Sequence, residues 1–165
     1  MLEATPLALA PTATIALAPP RHIASVTAYN GATAALESAL GVSLPKPGRS
    51  LTAAGILWLW SGPNSWLAIS QTPLALAAVT PHAALTDQSD GKAIFLISGP
   101  RTRATLQKLI PIDLHETIFL ADHTALTLAG HIPIQLWREG ETFCIACFRS
   151  FGAALHSTLL EADIG

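Results

Sequence analysis

Apolar and polar positions along the chain switch between two periods, and the switches divide it into elements. Residues 22–29 (HIASVTAY) alternate as a strand does, after which Ala32, Ala35, Leu36, Ala39 and Leu40 recur at helical spacing. Asn30 is the expected N-cap of this helix, because a short polar side chain satisfies early N–H groups, and Gly41 is the expected C′ residue. A proline-rich connector, 44–50 (LPKPGRS), leads to two apolar runs, 55–60 (GILWLW) and 65–70 (SWLAIS), on either side of Ser61-Gly62-Pro63-Asn64. Those four residues predict a hairpin turn that brings Trp58, Trp60 and Trp66 close together.

Pro73 to Val79 predicts a short helix and 80–91 (TPHAALTDQSDG) a loop, before a continuous apolar run, 92–98 (KAIFLIS), of the kind buried on both faces. Gly99 caps and Pro100 opens a helix to about Leu109, with Leu106, Leu109 and Ile110 as its buried stripe. Arg101, Arg103 and Lys108 lie on its other faces, where cations oppose the helix dipole unless an anion, such as a partner's carboxylate, compensates. Residues 123–130 and 131–137 read as strands, with Ile132, Ile134 and Leu136 on one face and Pro133 marking an edge. Glu139-Gly140 turns the chain into the strand 142–148 (TFCIACF). Ser150 then caps a final helix on which Phe151, Ala154, Leu155, Thr158, Leu159 and Ala162 form the apolar stripe. The sum is an α+β domain over residues 21–165, a mainly antiparallel sheet with two to three packed helices. An extended arm, 1–20, interrupted by Pro6, Pro11, Pro19 and Pro20, precedes it.

A length of 165 residues suits one domain with a proper core. Only 12% of residues are charged and 50% are apolar, which leaves the surface with little ionic coating and predicts that part of it is covered by a partner or by self-association. The net charge of −2 and the scattered basic residues give no footprint for a phosphate backbone, so nucleic acid is not an expected partner. Residues 50–86 contain no Asp, Glu, Lys or Arg, yet turn signals cut them into apolar pieces far shorter than the ~18 residues of a membrane span. The apolar arm has no basic n-region and carries Glu3; a cytoplasmic location is the expectation.

Candidate chemistry is sparse. Cys144 and Cys147 form a C-x-x-C, but residues three apart on a strand face opposite sides, and no second pair exists to complete a zinc site. They are expected as two small buried apolar residues. His115, His123 and His131 are evenly spaced without a carboxylate companion, so no metal site is expected. Asp113 and His115 could share a face as an acid/base pair, although a turn in which Asp113 accepts local N–H groups is the commoner outcome. Asp87, Ser89 and Asp90 lack the spacing of a calcium loop and are expected to form a turn. No phosphate cradle or nucleophile elbow occurs, and no catalytic residue is assigned.

The segments LWLWSGPNSWLAIS, LTDQSDGKAIFLISGP, IPIDLHETIF and FRSFGAALHSTLLEA, in this order, resemble the gamma subunit of heterotetrameric sarcosine oxidase. Asp113-Leu114-His115, Arg149-Ser150-Phe151 and the Asp87–Pro100 segment are the most specific pieces. A more distant similarity reaches the folate-binding domain of aminomethyltransferases such as the glycine-cleavage T protein, and implies that α+β fold. The chain departs from the family at Gly62-Pro63-Asn64-Ser65-Trp66, where an acidic turn is usual. The resemblance implies a structural chain, without cofactor of its own, in a complex that demethylates sarcosine oxidatively to glycine. In such a complex FAD, FMN, NAD and tetrahydrofolate are held on the alpha, beta and delta partners. Arg101, Arg103 and Arg149 are the expected interface anchors, because arginine forms bidentate pairs with carboxylates. Two alternatives stand beside this reading. One is a free-standing folate-binding protein in which Trp58, Trp60 or Trp66 stacks a pterin and Asp87 or Asp113 bonds its polar edge. The other is a redox domain that uses Cys144 and Cys147.

Overall fold

The structure, a computed structural model, describes residues 13–164; the first twelve residues of the segment expected to be an arm lie outside the described residues. Ten strands form two five-stranded antiparallel sheets. The first contains β2 (His22–Ala28), β3 (Ser50–Ala53), β4 (Ile56–Gly62), β5 (Ser65–Ser70) and β6 (Ala83–Asp87), in the order β3-β4-β5-β2-β6. The second contains β1 (Thr14–Leu17), β7 (Lys92–Ser98), β8 (Thr124–Ala129), β9 (Ile132–Glu139) and β10 (Thr142–Phe148), in the order β1-β7-β10-β9-β8. Three helices, α1 (Thr33–Leu40), α2 (Thr102–Gln107) and α3 (Gly152–Ile164), lie outside the sheets.

Strand alternation builds three cores. Ile23, Leu59 and Leu67 of the first sheet meet Ile94, Trp137 and Cys144 of the second, so the sheets pack face to face. Residues at the alternate positions of each strand point outward: Trp58, Trp66 and Val26 lie beneath α1, whereas Phe95, Leu136 and Ile145 lie beneath α2 and α3. The order of layers is therefore helix, sheet, sheet, helix. Each fully buried Leu or Ile in these layers stabilises the fold by about 1.5–3 kcal/mol.

Several expected elements sit differently. Asn30 does not cap α1, because a turn closed by Ala32 N–H on Tyr29 O comes first and the helix begins at Thr33 with no side-chain cap. Gly41 does end it in the left-handed region, at φ 67°. Pro73–Val79 contributes only a 3-10 turn at Ala77–Val79. β3 starts on the last residue of the expected connector, and β6 lies inside the expected loop, where Leu85 pairs with Val26. Helix α2 starts at Thr102 rather than Pro100; the Thr102 hydroxyl donates to Gly99 O at 2.8 Å.

The buried stripe of α3 is Gly152, Leu155, Leu159 and Ala162, while Phe151 and Ala154 are exposed. The Arg149–Phe151 3-10 turn displaces Phe151 from the helix, and Gly152 is buried in its place, where an added Cβ would lie 3.5 Å from the Ala93 methyl. Pro133 lies in β9, which is flanked by strands on both sides, not at the edge. It is tolerated because β9 pairs with β10 only from Gln135 onward, leaving the missing N–H on an unpaired stretch. Thr14–Leu17, within the expected arm, is extended and pairs with β7. The buried Asp163 carboxylate accepts from Ala13 N–H and the Thr105 hydroxyl, both at 2.9 Å, and so ties that strand and α2 to α3.

Candidate functional site

At one end of the sandwich the sheets part into a cleft of about 580 Å³, lined by Leu57, Ile69, Ser70, Arg21, Glu139 and Asp122 among others. Arg21 precedes β2 and Glu139 ends β9, so their pairing joins the two sheets. The guanidinium donates to both carboxylate oxygens, at 2.5 and 3.3 Å, and Trp137 Nε1–H adds a third bond at 3.2 Å. Burial of Glu139 opposes its ionisation, but the Arg21 and Trp137 donors outweigh burial and hold the carboxyl below its ordinary range. The bond to Glu139 likewise raises the Arg21 guanidinium. These charges satisfy each other, so the pair is a clasp between sheets and does not present an acid or base to the cleft.

The five residues of the folate alternative are not brought together. Trp58 and Trp66 are 1% and 6% exposed beneath α1, and the Trp66 indole donates to Pro45 O at 2.8 Å. Trp60 opposes Trp66 across the hairpin and packs on the same core. Asp87 ends β6 in the first sheet and accepts from Ser89 N–H at 2.9 Å; the Ser89 hydroxyl first, and then this N–H, draw its pKa down. Asp113 lies in the segment between α2 and β8, where it accepts from His115 N–H at 2.8 Å; this is the local turn, not a catalytic pair.

Cys144 and Cys147 are free and buried on opposite faces of β10. Burial, reinforced by the Glu139 charge, pushes the Cys144 thiol up to about 12, and burial also raises Cys147. Among the described residues no three His, Cys, Asp or Glu side chains are grouped to hold a metal ion.

Two of the three expected anchor arginines are engaged within the chain. Arg149 donates to the carbonyls of Asp90, Ser89 and Lys92 at 2.6, 3.4 and 3.0 Å, closing the turn before β7. Arg103 donates to Leu114 O at 3.0 Å and lies over the Phe143 ring. The cations of α2 are compensated inside the fold as well: Lys108 Nζ donates to Ala162 O at 2.7 Å, near the carbonyl end of α3. The Arg101 side chain has no hydrogen-bond or ion-pair partner among the described residues.

The exposed feature that pattern reading passed over is an apolar row. On the face of the second sheet that elsewhere packs against the first, Leu126, Leu128, Pro133 and Phe148 remain exposed. Register places Leu128 opposite Pro133 and Phe148 opposite Lys92, whose ammonium sits 4.0 Å from the Phe148 ring centre. Alternation within 123–130 carried the signal for Leu126 and Leu128; which neighbour would leave them uncovered was not in it.

No protein-family model matches the chain. Sarcosine oxidase gamma subunits from Arthrobacter sp. and Corynebacterium sp. (strain P-1) are each 34% identical to it, over 66% and 68% of its length. A chain of the heterotetrameric sarcosine oxidase from Corynebacterium sp. U-96, solved with pyrrole 2-carboxylate, superposes with a TM-score of 0.82 at 27% identity, covering 91% of this chain and 83% of that one. The chain is a homologue of the sarcosine oxidase gamma subunit. It spans 57% and 59% of the length of the first two gamma subunits. The aminomethyltransferase T of the glycine cleavage system from Bartonella henselae shares the fold, with a TM-score of 0.65 at 14% identity, over 90% of this chain and 45% of that one. The gamma-subunit likeness and the mixed fold of antiparallel sheets with few helices agree with the sequence reading. No helix among the described residues is long and apolar enough to cross a membrane.

Proposed function

We propose that the chain is a structural, non-catalytic gamma-type subunit of a cytoplasmic sarcosine oxidase complex that demethylates sarcosine oxidatively to glycine. Its partners in this reading are alpha, beta and delta subunits, which carry FAD, FMN, NAD and tetrahydrofolate, while this chain holds no cofactor. The observation that carries the reading is the likeness to gamma subunits in both sequence and fold, with the TM-score of 0.82 extending over 91% of the chain. The clasped charges of the inter-sheet cleft and the high thiol pKa of Cys144 agree with a role in assembly more than in chemistry.

The test is capture of partners from native cell extract with the tagged chain as bait. Larger subunits with flavin absorbance and sarcosine-dependent peroxide formation are expected in the eluate. A colourless, lone chain that binds tetrahydrofolate on titration would overturn the reading in favour of a free-standing folate-binding protein.

A further inference from the structure

The β8 strand, Thr124–Ala129, is an edge of the second sheet. Its sequence, TALTLA, contains neither charge nor proline, the usual devices by which natural edges avoid pairing with another chain. In an antiparallel ladder alternate residues direct N–H and C=O to opposite sides. Thr124 N–H donates away from β9 to Gly48 O at 3.0 Å, and Gly130 N–H to Leu109 O at 3.0 Å. The even-numbered residues therefore face the open side, and between these two bonds lie Leu126 and Leu128. Among the described residues their N–H and C=O groups have no partner on that side. Two donors and two acceptors thus stand in a row. Leu126 and Leu128, 49% and 43% exposed, flank them on the apolar face with Pro133.

We propose that this edge receives an extended apolar segment of a partner subunit as an added strand. The proposal rests on the reading of the chain as a subunit. The brackets at its ends identify the occupant. Gly48 and Leu109 lie outside the β8 edge, so the free stretch is recessed between them. Two copies placed edge to edge about a two-fold axis at Thr127 would bring Gly48 of one against Leu109 of the other before their strands could pair. A single extended segment enters the recess without that collision. It forms four backbone bonds, two each with Leu126 and Leu128, and lays alternate apolar side chains beside them. The strand lengthens the sheet and covers the exposed leucines in one step.

Amide exchange, resolved residue by residue on the isolated chain and on the complex captured from native extract, tests this. In the isolated chain Ala125, Thr127 and Ala129 are protected by β9, while Leu126 and Leu128 exchange rapidly. In the complex the two leucine amides are expected to slow about 100-fold or more. Leu128→Pro removes the outward N–H and the leucine side chain without breaking a bond to β9, and is expected to reduce capture about tenfold, with a cooperative melting transition showing that the chain still folds. A complex that forms with Leu126 and Leu128 still exchanging freely would overturn the added strand while leaving the subunit reading intact. Capture by the folded Leu128→Pro chain at the wild-type level would do the same. Protection of both leucines in an isolated dimer would assign the edge to a second copy and overturn the proposal. Failure of the wild-type chain to capture flavin-bearing subunits would remove the subunit reading itself, and the proposal with it.

Discussion

Replacing Glu139 by Gln tests how the two sheets are held together. The substitution keeps size and one oxygen acceptor for Trp137 but leaves the Arg21 guanidinium, 11% exposed, without its counter-charge. An exposed pair contributes about 0–1 kcal/mol, and breaking a fully buried one costs about 3–5 kcal/mol. Glu139 at 37% exposure and Arg21 at 11% fall between these limits, so a loss near 2 kcal/mol is expected. Urea unfolding of wild type, Arg21→Met, Glu139→Gln and the double variant separates the pair from its surroundings, with an expected coupling of about 1–2 kcal/mol.

The pH dependence has a fixed sign. Glu139 has a depressed pKa in the folded chain, so its contribution is complete above the unfolded value of about 4.3 and fades as pH falls through the folded one. Wild type and Glu139→Gln should differ fully at pH 7 and converge in acid. A coupling below about 0.3 kcal/mol, or a difference that does not change between pH 7 and the acid limit, would refute the clasp between sheets.

Arg149→Lys should destabilise the chain by about 1–1.5 kcal/mol in urea unfolding and speed amide exchange in the Ser89–Lys92 turn, because a lysine cannot span the three carbonyls that the guanidinium joins. Wild-type stability with lost partner capture would instead make Arg149 an interface anchor. Cys144, whose thiol is pushed up to about 12, should resist an alkylating thiol reagent at pH 8 in the folded chain and react in denaturant. Rapid modification of the native protein, followed by mass spectrometry, would contradict that burial.

Elements set by side-chain alternation were legible in the sequence, and elements set by partners across the sheet were not. β7, β9 and β10 lie where their apolar runs placed them, because strands buried on both faces announce themselves in any neighbourhood. β3 and β6 were missed because SLTA and AALTD carry small, half-exposed residues; β6 becomes a strand by pairing with β2. The Phe151 position in the final stripe failed because a 3-10 turn shifted the phase before α3 began. The C-x-x-C was read correctly as two buried thiols, since the geometry of a strand alone separates its side chains. The Arg21–Glu139 clasp was invisible, as nothing in a linear sequence relates charges 118 positions apart.

Strand order also has a consequence for the chain as it leaves the ribosome. β2 to β6 are consecutive in sequence and complete the first sheet once Asp87 has been made. The second sheet is different: its central strand, β10, is the last strand of the chain, and β1, its earliest, must wait for β7. At about 5–20 residues per second, the roughly 60 residues between Asp87 and Phe148 take several seconds to emerge. During that interval Ile23, Leu59, Leu67 and Ile69 have no opposing sheet, which makes the nascent first sheet the species most in need of a chaperone.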